Sequence, residues 1–248
     1  MADSWLVTAT QLIVVAAAIF TAAFVQVIAG FGFALLSMPI MTLALPVKEA
    51  VVVSTVLGML STTWQAVHLR HQAERTLVKR MVIGACLGMP LGLFILSVVS
   101  DTSLRLVLGI AVLVATVLLV SPVNFAAMHP SFDVGVGFVS GVLNTSLSTN
   151  GPPLVFGLQA RRLDPSQFRA TISVTFAICN IVTLALFVVR GLVTADGLKA
   201  AAIALPAWVV GQGLGWPVRK HLHGDRFRRL VLALLFLAGV STIVFALL

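Results

Sequence analysis

The chain has 248 residues, 59% of them hydrophobic and only 10% charged, with a mean hydropathy of +1.09. A soluble domain carries about 25% charged residues, so this composition excludes an ordinary soluble fold and points to a chain solvated by lipid. The net charge of +8 would suggest nucleic acid on a soluble protein. Here the basic residues lie in short stretches between apolar runs and read as topology signals, so no nucleic-acid partner is expected.

In chain order, the first apolar run has no Lys or Arg ahead of it. It lacks the basic start of a cleaved signal peptide and is expected to stay in the mature protein. Residues 5–45 are uncharged and broken near the middle by Gly30, Gly32, Ser37 and Pro39. Segments 47–69, 78–99 and 103–120 follow, each long enough to cross a hydrocarbon core of about 30 Å as a helix. Residues 133–160 repeat the uncharged, broken pattern, and 167–189, 196–218 and 229–248 repeat the three spans. Cys86 and Cys179 lie mid-run and read as small apolar fillers. Tyr is absent, which leaves interfacial anchoring to Trp5, Trp64 and Trp216, with Trp208 nearer mid-span.

The halves match in order. Gly30–Pro39 aligns with Asn144–Pro153, Gly88 and Gly92 with Gly211 and Gly215, and RLVLGIAVLV from Arg105 with RLVLALLFLA from Arg229. Stretches 70–80, 161–169 and 219–229 hold twelve of the sixteen basic residues. All twelve lie inside only if each broken pair returns to the side it started from, and equivalent segments then cross in opposite directions. The expected fold is therefore an all-α integral membrane protein of two inverted-topology repeats. Each has a broken or re-entrant helix pair and three membrane-spanning helices. The boundaries are 1–120 for the N-terminal repeat, 121–132 for a linker and 133–248 for the C-terminal repeat, with both termini outside.

Irregular backbone survives in hydrocarbon only when it is enclosed by protein or lines a wet cavity. Pro152 and Pro153 remove two N–H donors, and Gly151 permits unusual dihedrals. The stretch Asn144–Pro153 is thus expected to end one half-helix and start another. The positive end of the new half-helix would face the break, an anion site in prospect. Candidate substrate-binding residues are Asn144, Ser146, Ser148, Thr149, Asn150, Gly151, Pro152 and Pro153, mirrored by Gly30, Gly32, Ser37 and Pro39. Ser173 and Asn180 in the following helix, and Ser54 and Thr55 in its counterpart, are placed to face the same cavity. Small polar residues and glycines also serve plain close packing in membrane helices, and Gly88/Gly92 and Gly211/Gly215 have the look of such pairs.

The acidic residues all fall at or near segment ends, which disfavours a carboxylate proton relay at mid-membrane. All five histidines read as solvated or interfacial, and His68 is the only one also placed to be a candidate for gating or proton binding. No catalytic cluster, metal site or cofactor is expected, so the chain is not read as an enzyme. The expected function is an alternating-access carrier of a small anion. A passive anion channel and a non-transporting membrane subunit or scaffold are the alternatives. A homodimer and a coupling ion, H+ or Na+, are compatible with this sequence.

On AGFGFALLSMP (Ala29–Pro39), NGPPLVFGL (Asn150–Leu158) and FRATISVTFAICN (Phe168–Asn180), the chain resembles the TauE/SafE sulfite exporter family, also called the 4-toluene sulfonate uptake permease family. The likeness covers nearly the whole chain. Phe31 and Phe33 interrupt the glycine run usual in the family's first motif, and Asn144-Thr145-Ser146 stands where the second usually opens with Gly. The resemblance implies transport of sulfur-containing anions, such as sulfite, sulfonates or sulfo-carboxylates, across a bacterial inner membrane; in such a membrane the termini placed outside by the charge pattern are expected to be periplasmic.

Overall fold

The structure, a computed structural model, describes residues 9–120, 129–159, 161, 163–218 and 225–247. Trp5, most of the expected linker, and Arg219, Lys220, His221 and His223 lie outside the described residues. Ten α-helices follow in order: α1 (Ala9–Ala29), α2 (Phe33–Met41), α3 (Val47–Leu69), α4 (Arg75–Val98), α5 (Asp101–Val120), α6 (Pro130–Leu147), α7 (Gly151–Gln159), α8 (Pro165–Val189), α9 (Ala195–Val218) and α10 (Asp225–Leu247). Among the described residues there is no strand. Six helices, α1, α3, α4, α5, α8 and α9, are long and apolar enough to cross a membrane. The protein is an all-α integral membrane protein.

Local chemistry sets the helix starts. Asp164 caps α8, accepting from the Ser166 and Gln167 N–H groups and from the Ser166 hydroxyl. The Ser166 hydroxyl bond above all holds the Asp164 carboxyl below the usual carboxylate range. Pro130 and Pro165 occupy the first helical positions of α6 and α8, where no N–H is needed. Glu74 caps α4 three residues earlier than the expected span, so Arg75, Lys79 and Arg80 sit on the first turns of that helix rather than in a loop. A membrane helix can begin in the interface with its charges still in water.

Ion pairs and hydrogen bonds tie the helix ends into two faces. On one, Asp133 of α6 is fully buried and accepts from Arg80 of α4 at 3.3 Å and from Arg161, just past α7, at 2.7 Å. The Glu74 N–H donates to Thr171 Oγ1 of α8 on the same face. On the other face the Val47 N–H donates to Asp101 Oδ2, and Gln11 of α1 donates to the Ala44 carbonyl just past α2. The pair α1–α2 therefore opens on one face and the pair α6–α7 on the opposite one.

Two seams hold the bundle. In the first, α4 lies against α6. A Cβ added at Gly84, Gly88 or Gly92 would overlap the carbonyl oxygens of Val134, Phe138 or Val142, and one at Gly137 or Gly141 would overlap those of Met81 or Ala85. In the second, α9 lies against α1 in the same manner, with Gly211 on the Phe20 carbonyl and Gly215 on Val27. These are the small-residue interfaces that bring membrane helices into backbone contact. Between the seams, α3 packs along α8 and α5 along α10.

Removing Asp133 strips two arginines of their shared partner. Asp133→Asn is expected to destabilise the protein by about 3 kcal/mol, the cost of breaking a buried ion pair from one side. The check is the thermal midpoint in detergent, compared with Asp196→Asn, whose carboxylate pairs with Lys199 in an exposed bridge.

Candidate functional site

Both broken segments are present as helix–break–helix units. In the first, Gly30 (φ 84°) and Gly32 (φ 98°) adopt left-handed backbone between α1 and α2, conformations that favour glycine. In the second, Ser148 ends α6 at φ 56°, and its N–H and that of Thr149 return to the carbonyls of Asn144 and Leu143. A non-glycine residue in this region is uncommon and costs backbone energy. Thr55 Oγ1 of α3 lies 3.2 Å from Ser148 Oγ and helps to hold it there.

The first turns of α2 and α7 face one cavity. Its lining includes Gly32–Leu35 from the start of α2 and Ser148–Gly151 from the break ahead of α7. Leu35 touches the position a Cβ would take on Gly151, at 3.7 Å, so the two short helices meet at their N-terminal ends. α3 contributes Ser54, Gly58 and Thr62, α8 contributes Phe176 and Asn180, and α1 contributes Gln26. Gly58 is at the centre of α3, and Phe176 and Asn180 flank the centre of α8, which puts the cavity half-way through the bundle. Its volume is about 20 Å³ as open to the centre of a water molecule, room for about one water.

Among the described residues no charged side chain lines this cavity. Its polarity comes from the N-terminal ends of two helices, where α2 has free first-turn N–H groups but α7, with Pro152 and Pro153, has only that of Gly151, and from neutral side chains. Two of these are buried without a partner: Thr149 Oγ1 and Asn150 Nδ2. Around them runs a hydrogen-bonded frame, in which Gln212 Oε1 is also buried without a partner. Asn180 donates to Thr62, Ser54 meets Ser37, and the Asn150 carbonyl accepts from Ser140 Oγ at 2.9 Å. Ser61 Oγ donates to Gln26 Oε1 and accepts from Gln212 Nε2 of α9. Such a constellation suits a small anion whose oxygens accept from N–H and O–H donors.

The family described as Sulfite exporter TauE/SafE matches residues 15–242. The chain belongs to this family. Among curated proteins it is 25% identical over 226 residues, 87% of each chain, to a "Probable sulfite/organosulfonate exporter TauE" of Cupriavidus necator. It is 30% identical over 108 residues to a "Probable inner membrane transporter protein TsaS" of Comamonas testosteroni, covering 43% of this chain and 45% of that one. No solved structure matches. The sulfite exporter family is one of transporters, and the protein is a multi-pass membrane transport protein.

Within this member of the family, the expected site residues divide. Gly32, Ser148, Thr149, Asn150, Gly151 and Asn180 line the cavity. Ser37 stands behind it, 3.4 Å from Ser54. The rest have other work. Gly30 lies against the methylenes of Arg169, the Pro39 carbonyl accepts from Thr42, and Ser146 bonds back to the Val142 carbonyl. Asn144 donates to Thr183, and Ser173 to Gln65. Pro152 and Pro153 face an apolar groove against α5, beside Val114 and Phe156. Sequence reasoning did not single out Gln26, Thr62, Phe176 or the Ser61–Gln212 link. Their only sequence signal is an uncharged polar or aromatic residue inside an apolar run.

His68 lies outside the cavity. Its ring lies tilted 4.4 Å from that of Trp64 and edge-on 5.9 Å from that of Trp216, exposed at the end of α3, with Nδ1 at the Trp64 carbonyl. Trp208 is half-buried and packs against the main apolar core.

Gly58 separates space from stability. A Cβ there would stand 3.5 Å from Phe33 and 3.7 Å from Asn180 Nδ2, ordinary contact distances, inside a cavity with little room to spare. Gly58→Ala is expected to keep or raise the melting temperature, since Ala favours helix by about 1 kcal/mol over Gly, while cutting the transport rate at least several-fold. A parallel melting curve and liposome uptake assay checks both signs at once.

Proposed function

We propose that the protein is a secondary carrier of small sulfur oxyanions, sulfite or an organosulfonate, in a bacterial inner membrane. It works by alternating access in a bundle built from two inverted repeats, residues 1–120 and 133–248. One observation carries the reading: two opposed short helices aim their N-terminal ends, with the unpartnered Thr149 and Asn150 donors, into one uncharged cavity at mid-bundle. Sulfite and sulfonate groups present three acceptor oxygens and no donor when ionised, which complements a site built of N–H and O–H groups. The printed descriptions of the two relatives, a sulfite/organosulfonate exporter and an inner membrane transporter, point the same way. A cavity of about 20 Å³ is smaller than a sulfur oxyanion, so in this reading its walls part to admit one.

The inverted arrangement is supported by the opposite faces on which α1–α2 and α6–α7 open, and by the matched seams, α1 on α9 and α6 on α4. Each seam joins a broken pair of one repeat to the fourth helix of the other. The rocking bodies in this proposal are therefore the seam partners, α1 with α9 and α4 with α6, hinged along α3 and α8. With the basic ends of α3, α4 and α8 inside, both termini are periplasmic.

The test is counterflow of labelled sulfite, taurine and isethionate in proteoliposomes, with binding followed by thermal shift. Asn150→Ala and Thr149→Val are each expected to weaken ligand affinity about tenfold or more, as lost hydrogen bonds to a charged group do. Ser146→Ala, whose hydroxyl is spent on the Val142 carbonyl, is expected to leave it unchanged. Absence of any shift with sulfur oxyanions, or wild-type affinity in Asn150→Ala, would overturn the proposal.

A further inference from the structure

A second concave surface lies away from the transport cavity, on the basic face. It is a groove of about 620 Å³ between the start of α4 and the flank of α8. Its rim carries Arg70, His71, Arg75 and Lys79, and its floor Val82 and Ile83 from α4 with Val174 and Ile178 from α8. The rim and floor differ in kind. The four basic side chains are exposed, and Arg70, Arg75 and Lys79 have no acidic partner within 4 Å among the described residues. Glu74, the one carboxylate in the same stretch, caps α4 through Thr76 and leaves the rim with a surplus of positive charge. Arg80, five residues along from Arg75, is the contrast: it turns inward and is matched to Asp133. A residue that served only to mark topology could point anywhere into water. Three unmatched cations at the head of one apolar groove form a pattern with one polar end and one greasy end.

Ile83 and Ile178 remain 47% and 37% exposed, so the floor is open to the bilayer. It descends about a turn on each of two helices, along the direction a lipid chain takes. We propose that this groove is a binding site for an anionic phospholipid. The headgroup phosphate would sit on Arg70, Arg75 and Lys79, and one acyl chain would lie over Ile83, Val174 and Ile178. Guanidinium forks match phosphate oxygens in pairs, and basic pockets between helices at a membrane surface suit anionic headgroups. The site bears on transport through α8. That helix presents Val174 and Ile178 to the groove and Phe176 and Asn180 to the cavity, so a lipid seated here braces the wall opposite.

The experiment uses the full-length protein purified in neutral detergent, with native mass spectrometry and thermal shift against phosphatidylglycerol, phosphatidylcholine and glycerol 1-phosphate. Phosphatidylglycerol is expected to bind at least tenfold tighter than phosphatidylcholine and to raise the melting temperature, with glycerol 1-phosphate showing no comparable effect. The triple variant Arg70→Gln, Arg75→Gln, Lys79→Gln is expected to erase the preference, while Lys48→Gln with Lys199→Gln on the opposite face keeps it. Because removing three charges can disturb membrane insertion, Ile178→Trp provides a second test. It leaves every charge in place, blocks the floor, and is expected to cut phosphatidylglycerol binding at least fivefold. Equal binding of the two lipids, binding unchanged by Ile178→Trp, or binding of glycerol 1-phosphate as tight as that of the lipid would overturn the proposal. None of these readouts requires transport, so failure here is distinct from failure of the substrate assignment.

Discussion

Backbone groups without partners are the governing constraint on this fold. A break inside a membrane helix frees N–H and C=O groups that hydrocarbon cannot satisfy, at several kcal/mol each. The chain makes two such breaks, at Gly30–Gly32 and at Ser148–Asn150. Each must be enclosed by protein, and enclosing both at one place needs walls on every side. The long helices α3 and α8 supply two of those walls, with Ser54, Gly58 and Thr62 on one and Phe176 and Asn180 on the other. The polar side chains of the surrounding frame sit where the freed backbone would otherwise face lipid. The candidate site and the reason for the fold are thus the same feature, seen first as a cost and then as a set of donors.

The packing around that feature is uneven. At the α4–α6 seam backbone meets backbone through glycines, with no room for even one methyl group, and at the α1–α9 seam Gly211 meets the Phe20 carbonyl and Gly215 the Val27 side chain. Contacts of this kind resist sliding, because any shift drives a carbonyl into a Cα. Along α3 and α8 no glycine seam forms, and beside their apolar packing the two helices are bridged by side-chain hydrogen bonds, Asn180 to Thr62 and Ser173 to Gln65, both at 3.4 Å. Those bonds are long and neutral, and they exchange at less cost than a glycine seam can be pried open. Under the proposed mechanism, stiffness is concentrated where helices must travel together and compliance where they must part.

Much of this architecture is legible in the sequence, and the reason is chemical. Charge cannot be hidden in hydrocarbon, so the spacing of Lys, Arg, Asp and Glu delimits the spans; the expected 47–69 coincides with α3. Proline and glycine in an uncharged run announce a break for the same backbone reasons that produce one. Rotation about each helix axis is far less legible. Asn144 and Asn150 are six residues apart in one motif, yet Asn144 bonds to Thr183 while Asn150 faces the cavity. With apolar residues on all sides, a membrane helix carries little signal of which face turns inward. The prolines show a second limit. They shape the start of α7, but with no N–H to offer they turn to α5, and the donors come from the residues just ahead of them.

A site for an anion that holds no fixed cation asks for a physical reason, and the proposed transport cycle gives one. A carrier must return empty as well as loaded. An arginine at mid-membrane would bind an oxyanion strongly, but in the empty state it would be a buried charge without a partner, a penalty of several kcal/mol. The neutral donors Thr149 and Asn150 cost about 1–3 kcal/mol each when unpaired, and two helix N-termini add positive potential without a net charge. The empty cavity is then tolerable, and the loaded one is favoured by charge-assisted hydrogen bonds that water at either face can replace. The same reasoning explains why Asp133, a fully buried carboxylate, is placed at a helix end between two arginines. Charge is admitted to the interior where it stays paired throughout, and kept out of the cavity whose occupant must leave.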